Sequence, residues 1–209
     1  RVPIELRLAG VAAAALGGLV FAWRQRETRR AFSLSLQGGA IGVLMLVTFA
    51  AFKLYHLMPA GAAFGITIAL VAGLGVLAVL QNALALAVFG ILAGFLAPIW
   101  LSTGSGNHVA LFSYYAVLNL GIFGIAWAQS KGQGPWRLLN LLGFVFTFGI
   151  GTLWGVLQYK PEKFATTEPF LLLFFALYLL IPIFYARGRS NRDDNAHGLV
   201  DGTLVFGTP

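Results

Sequence analysis

The sequence contains no cysteine and few charged residues. Without cysteine, the chain forms neither a disulfide nor a Cys-ligated zinc or iron–sulfur site. Charged residues make up only 10% of the chain, against roughly 25% in a typical soluble domain. None occurs between Leu54 and Ser130. Only lipid accommodates several successive stretches of about 20 apolar residues, so this composition predicts an integral membrane protein in contact with the lipid bilayer.

The charge-free intervals divide into seven predicted membrane spans. The longest interval is interrupted at Gln81–Asn82 and at the polar loop 102–108, which are turn signals. The predicted spans are 6–23, 35–55, 60–80, 83–101, 109–128, 138–158 and 169–186. We therefore expect an all-α fold, a polytopic transmembrane helix bundle of about seven helices that forms a single region over residues 1–209. A polar loop at 187–202 follows the last span.

The basic residues indicate an orientation. The net charge is +7, but the basic residues lie at the ends of apolar runs and form no continuous stripe, so we expect no nucleic-acid partner. Nine of the 14 would lie on one side: Arg24, Arg26, Arg29, Arg30, Lys131, Arg137, Arg187, Arg189 and Arg192. The positive-inside rule places that side, and the loop 187–202, in the cytoplasm. Arg1 would then lie outside.

Glycine is abundant, with 26 residues. Small residues let helix backbones approach closely in lipid, and the G-x-x-x-G spacing occurs at four places. These pairs are Gly38/Gly42, Gly61/Gly65, Gly90/Gly94 and Gly151/Gly155. The pattern predicts a compact bundle.

Three polar residues of the fifth span share one helical face. His108, Tyr115 and Asn119 are seven and four residues apart, which places them on a track from the outer interface to mid-membrane. An amide at that depth needs a partner, since lipid offers none. The track either joins helices or, with the neighbouring Tyr114, lines a ligand groove open to the extracytoplasmic side.

The sixth span carries small and polar residues on one face, among them Asn140, Thr147 and Gly151. We interpret these three as helix-packing residues. Asn119 and Thr147 lie at equal depths when counted from the cytoplasmic ends of their spans. The fifth and sixth spans are therefore predicted to form an antiparallel hairpin with a hydrogen bond between Asn119 and Thr147.

The polar loop 102–108 lacks the lysine of a phosphate-binding loop and the third glycine of a dinucleotide fingerprint. A tight turn is the simpler interpretation. Ser105, Gly106 or Asn107 would then cap the fifth span.

Catalytic and metal-binding patterns are weak. An ion relay would require an acidic residue at mid-membrane, and the sequence has none there. Three histidines without adjacent acidic ligands favour neither a metal site nor a cofactor. Glu162 and Glu168 are the only acids that could join His108 on the outer side. A membrane enzyme acting there on a lipid- or glycan-linked substrate, through His108, Tyr114 and Glu168, therefore stays an alternative.

Several long runs resemble a known family. These are IELRLA, LQGGAIGVLML, GFLAPIWLSTGSGNHVALFSYYAVLNLG, WRLLNLLGFVFTFGIGTLWGVLQYKPEKFATTEPFLLLFF and VDGTLVFGTP. They resemble a bacterial family of large multi-pass membrane proteins, domain of unknown function 2339. The resemblance implies a helical inner-membrane protein, with this chain an internal part of a longer one and further spans as its partners. It transfers no catalytic residue, and our expectation is a non-enzymatic transport or scaffold bundle.

Overall fold

A computed structural model describes residues 3–101, 107–130 and 134–187. All regular structure in these ranges is helical, which confirms the all-α prediction. The α-helices are α1 (Ile4–Arg24), α2 (Arg30–Phe49), α3 (Ala60–Leu80), α4 (Leu84–Trp100), α5 (His108–Ser130), α6 (Leu138–Gln158) and α7 (Phe164–Arg187). A π-helical turn (Ala50–Leu54) extends α2, and 3-10 turns (Gly134–Arg137 and Pro161–Lys163) precede α6 and α7. The predicted polar loop lies outside the described residues from position 188 onward.

The described helices have the dimensions of membrane spans. Six are long and apolar enough to cross a bilayer, and α4 is an apolar helix of 17 residues. The chain divides into two compact units, Arg1–Ser105 with α1 to α4 and Gly106–Pro209 with α5 to α7. In the first unit α2 packs against α1, α3 and α4, and in the second unit α5 packs against α6 and α7.

The predicted turn at Gln81–Asn82 is confirmed. Asn82 has a positive φ of 47°, the left-handed conformation that Asn tolerates better than most residues. The amide of Ala83 donates to the carbonyl of Ala78 at 2.8 Å, and the amide of Asn82 donates to that of Val79 at 3.2 Å. These two bonds form a Schellman motif, which ends α3 by satisfying carbonyls that a helix end leaves open.

Two helices begin five residues before the start of the predicted span. α2 begins at Arg30 rather than at residue 35, since a helix can continue past its apolar part where arginine reaches into the interface. α7 begins at Phe164 rather than at residue 169 and contains Pro169. Pro169 lies just past the first turn, so its missing N–H removes a single helical hydrogen bond, the one to the carbonyl of Ala165. Glu168, which precedes Pro169, lies inside α7 and is exposed.

Among the G-x-x-x-G glycines, Gly90 lies at the closest described helix contact. A Cβ built on Gly90 would be 3.4 Å from the Cβ of Leu74, so α3 and α4 meet there. A Cβ on Gly38 would be 3.7 Å from Leu86 Cδ2 on α4. At Gly42, Gly61, Gly65, Gly151 and Gly155 it would meet nothing within 4 Å. Glycine spacing alone therefore does not identify the close contacts.

Candidate functional site

The polar centre of the second unit is Asn119 on α5. Its Nδ2 donates to Thr147 Oγ1 on α6 at 2.7 Å and to the carbonyl of Tyr115 at 2.9 Å. The hydroxyl of Tyr178 on α7 donates to Asn119 Oδ1. The predicted pairing of Asn119 with Thr147 is confirmed, and α7 supplies a third member. We call Asn119, Thr147 and Tyr178 the polar triad.

The polar triad forms a closed ring of hydrogen bonds. Thr147 Oγ1 lies 3.4 Å from the Tyr178 hydroxyl, so the threonine proton can complete the ring. Both amide protons of Asn119 and its carbonyl oxygen are then engaged within the protein. Asn119 is only 3% exposed and Tyr178 only 1%. Three helices are thus joined by polar groups that would cost free energy if they faced lipid alone.

Gly143 makes the polar triad possible. A Cβ on Gly143 would be 3.0 Å from Asn119 Oδ1 and 3.1 Å from the Tyr178 hydroxyl. Both contacts are closer than side chains ordinarily tolerate. The close approach on α6 therefore lies at Gly143 rather than at Gly151, where an added Cβ would have open space.

Asn140, the other predicted packing residue, lies one turn before Gly143 on α6. It is buried, and its Nδ2 donates to the Tyr185 hydroxyl at 3.2 Å. The Arg137 guanidinium lies 4.1 Å from the centre of the Tyr185 ring, a cation–π contact. Asn140 Oδ1 has no hydrogen-bond partner in the described part of the chain. Asn140 thus joins α6 to α7, and its amide oxygen could accept one more bond.

His108 is the first residue of α5 and is half-buried. Its Nε2 is 2.8 Å from Thr166 Oγ1, and this hydroxyl is 3.0 Å from the carbonyl of Lys163. A threonine hydroxyl has one proton, so both contacts are hydrogen bonds only if His108 Nε2 carries a proton and donates it. The ring of Trp154 lies 5.2 Å from that of His108, centre to centre.

Asn107, one of three predicted caps, accepts from the amide of Ala110 at 3.0 Å and caps α5.

Phe112 separates His108 from the polar triad. Its side chain is 5% exposed, and its ring lies 5.1 Å from that of Trp154 and 5.7 Å from that of Phe170. Tyr115, the middle residue of the predicted track, is 1% exposed. The neighbouring Tyr114 is half-buried. The face of α5 that carries the track is therefore packed against α6 and α7, which favours the helix-joining alternative over a groove that reaches Asn119.

The acids considered as partners of His108 are exposed. Glu162 lies in the 3-10 turn before α7 and Glu168 lies on α7 itself. In the described ranges, no group of three or more His, Cys, Asp or Glu residues could hold a metal ion. The polar contact of His108 is instead with the neutral hydroxyl of Thr166.

A second buried polar cluster lies in the first unit. The side-chain amides of Gln37 on α2 and Gln81, just after α3, pair with each other at 3.1 and 2.6 Å. Gln37 also donates to Ser33 Oγ at 2.8 Å, and Ser33 donates to the carbonyl of Ala22 on α1 at 2.7 Å. The remaining Gln81 amide proton is directed to Leu77 O at 3.3 Å. Neither Ser33 nor Gln37 is among the predicted packing residues, although polar residues inside an apolar run are themselves a signal.

The helices, their apolar outer faces and the internal polar clusters define a multi-pass α-helical integral membrane protein. The chain belongs to the family described as "Predicted membrane protein (DUF2339)", which matches residues 1–209. The family resemblance found in the sequence is thereby confirmed. No curated protein and no solved structure matches the chain.

Proposed function

We propose that this chain is a non-enzymatic scaffold: a preformed helix bundle within a larger membrane protein, whose further spans are its partners. The observation that carries the proposal is the saturation of Asn119. Asn119 carries the amide most suited to bind a ligand at mid-membrane. It donates its two amide protons to the Tyr115 carbonyl and Thr147 Oγ1, and its oxygen accepts from the Tyr178 hydroxyl. A satisfied network of this kind stabilises one helix arrangement and leaves neither amide proton of Asn119 free for a substrate.

A transport groove is the other form of a non-enzymatic function. A groove from His108 to Asn119 would require Phe112 and Tyr115 to leave their packed positions, because both are buried between the two polar ends. It would also require Asn119 to exchange protein partners for a ligand. The exposed outer end, with Asn107 and the half-buried His108, is the part of the predicted groove that a ligand reaches without such rearrangement.

The enzyme alternative is supported less well. A histidine that acts as a general base needs an unprotonated nitrogen directed at the substrate and usually a group that orients its ring. If Thr166 donates its proton to the carbonyl of Lys163, the hydrogen bond to His108 requires a proton on Nε2, and the orienting partner is a hydroxyl rather than an acid. His108 Nδ1 would then have to be the base.

The proposed location is the bacterial inner membrane, with the amino end outside and the carboxyl end in the cytoplasm. Nine basic residues against five support this orientation. Asn107, His108 and the turn before α7 would then face the extracytoplasmic side.

Cysteine accessibility distinguishes the scaffold from the groove, and residues 1–209 contain no native cysteine that would react with the label. Any cysteine elsewhere in the full-length protein is first replaced by serine. Thr147→Cys places a thiol of similar size beside Asn119. If the chain is a scaffold, this buried thiol should not be labelled by a water-soluble, membrane-impermeant maleimide in the full-length protein in intact membranes. Lys160→Cys, in the exposed turn after α6, is the positive control. Val117→Cys, exposed on the outer face of α5, is the control for a lipid-facing position.

Labelling of Thr147→Cys at a rate near that of Lys160→Cys would establish water at the polar triad and would overturn the scaffold proposal. Protection that is lost only on detergent denaturation would support it.

A further inference from the structure

We propose that the turn between α1 and α2 binds the phosphodiester headgroups of anionic phospholipids through Arg24 and Arg29. Residues 24–30, RQRETRR, contain four arginines and one acid, Glu27. The turn joins two helices that are long and apolar enough to span a membrane. Its charges therefore lie at the depth where the bilayer presents its headgroups.

Two of the four arginines are used inside the protein. The Arg26 guanidinium lies 4.2 Å from the centre of the Trp23 ring and 3.2 Å from Glu27 Oε1. The Arg30 guanidinium donates to the carbonyls of Gln81 and Asn82 at 2.9 and 3.1 Å, and so ties α2 to the end of α3. These contacts account for Arg26, for Arg30 and for the one acid of the turn.

Arg24 and Arg29 remain. Both are exposed, and in the described part of the chain neither side chain has a hydrogen-bond or ion-pair partner. Arg24 lies in the last turn of α1, where the helix dipole favours a cation. Arg29 is at the start of α2, where the dipole disfavours one, and the first turn of α2 contains no acid. The stability of α2 therefore does not explain Arg29.

The chemistry of the partner follows from these charges. A guanidinium presents a planar fork of N–H donors that matches two phosphate oxygens, and it binds phosphate more specifically than a lysine does. Trp23, half-buried at the end of α1, is typical of the membrane interface. A cluster of basic residues directly beside a membrane-spanning helix attracts anionic lipids. A lipid phosphate is favoured over a free one because both flanking helices hold the turn against the bilayer.

The test uses the full chain reconstituted in phosphatidylcholine bilayers that contain traces of spin-labelled phosphatidylglycerol or spin-labelled phosphatidylcholine. The motionally restricted fraction of each probe gives its relative association constant with the protein. We expect a preference for phosphatidylglycerol that falls in Arg24→Gln/Arg29→Gln, by up to roughly fivefold for each arginine. The matched control, Arg7→Gln/Lys160→Gln, removes two exposed charges elsewhere and should leave the preference near its wild-type value.

Two measurements on the wild-type protein do not depend on the folding of a variant. Salt at 1 M should weaken the preference, because it screens exposed charges. Inorganic phosphate at the same ionic strength as a chloride control should leave it unchanged. Equal association of the two lipids with wild-type protein, an equal loss in both double variants, or displacement by inorganic phosphate would each overturn the proposal.

Discussion

Gly143 and Asn119 face each other so closely that a single methyl group on Gly143 would separate them. The added Cβ would be 3.0 Å from Asn119 Oδ1. Because both residues lie in the packed centre of the second unit, this contact controls whether α5, α6 and α7 can share the polar triad. It gives a direct test of the packing.

Gly143→Ala should destabilise the protein by about 1–3 kcal/mol, since overpacking of a buried contact forces neighbours apart. The expected effect is lower thermal stability in detergent. Gly149→Ala on the same helix is the matched control, because a Cβ there would meet nothing within 4 Å. Alanine is the better helix former by roughly 0.5–1 kcal/mol, so the control should be neutral or slightly stabilising. Equal effects of the two substitutions would contradict the close contact.

Asn119→Leu should also destabilise the protein, because Thr147 and Tyr178 would each lose a buried partner. A double-mutant cycle with Thr147→Val measures the pair itself. Hydrogen bonds between membrane helices contribute about 0.6 to 2 kcal/mol, and the coupling energy should lie in this range. Purely additive effects in reversible unfolding experiments would mean that the two side chains do not interact.

Part of this arrangement can be predicted from the sequence. The depth of a residue in a span follows from the helical rise, so Asn119 and Thr147 can be matched by counting residues from the ends of their spans. Tyr178 cannot, because it lies in the run FLLLFFALYLL, where a tyrosine has no spacing that separates it from its apolar neighbours. Which face of a helix is buried depends on the neighbouring helices.

In the first unit, too, the sequence predicts a local turn but not a side-chain pairing between helices. Gln81 is a turn signal in the sequence, and the Schellman motif at Asn82 confirms that interpretation. Its side chain has a second role as the partner of Gln37, which is distant in the sequence. Local turn chemistry is readable from adjacent residues, whereas a pairing between helices requires their relative rotation.

The topology can be tested with single cysteines at Thr28 and Lys160, two exposed positions in turns of the chain. Five helices, α2 to α6, separate them, so they should lie on opposite sides of the membrane. The positive-inside rule places Thr28 in the cytoplasm. An impermeant maleimide should therefore label Lys160→Cys in intact spheroplasts and Thr28→Cys only after permeabilisation. Labelling of both from one side would disprove the topology, and a reversed pattern would disprove the orientation.

The amide pair of Gln37 and Gln81 should show strong non-additivity. Gln81→Leu leaves the fully buried Gln37 amide without its Gln81 partner, and Gln37→Leu leaves the half-buried Gln81 amide without its Gln37 partner. An unsatisfied buried polar group costs about 1–3 kcal/mol. Gln37→Leu also removes the hydrogen bond that Ser33 Oγ accepts from Gln37. The double variant removes both amides together and should be less destabilised than the sum of the single variants, which reversible unfolding in detergent would measure. Thr67→Val on α3 is a suitable control, because in the described part of the chain the Thr67 hydroxyl bonds only to the carbonyl of Ala63 on its own helix and should not couple to Gln37. Strict additivity of Gln37→Leu and Gln81→Leu would show that the two amides do not join α2 to the end of α3, and the bonds of Arg30 to the carbonyls of Gln81 and Asn82 would then be the polar contacts between them.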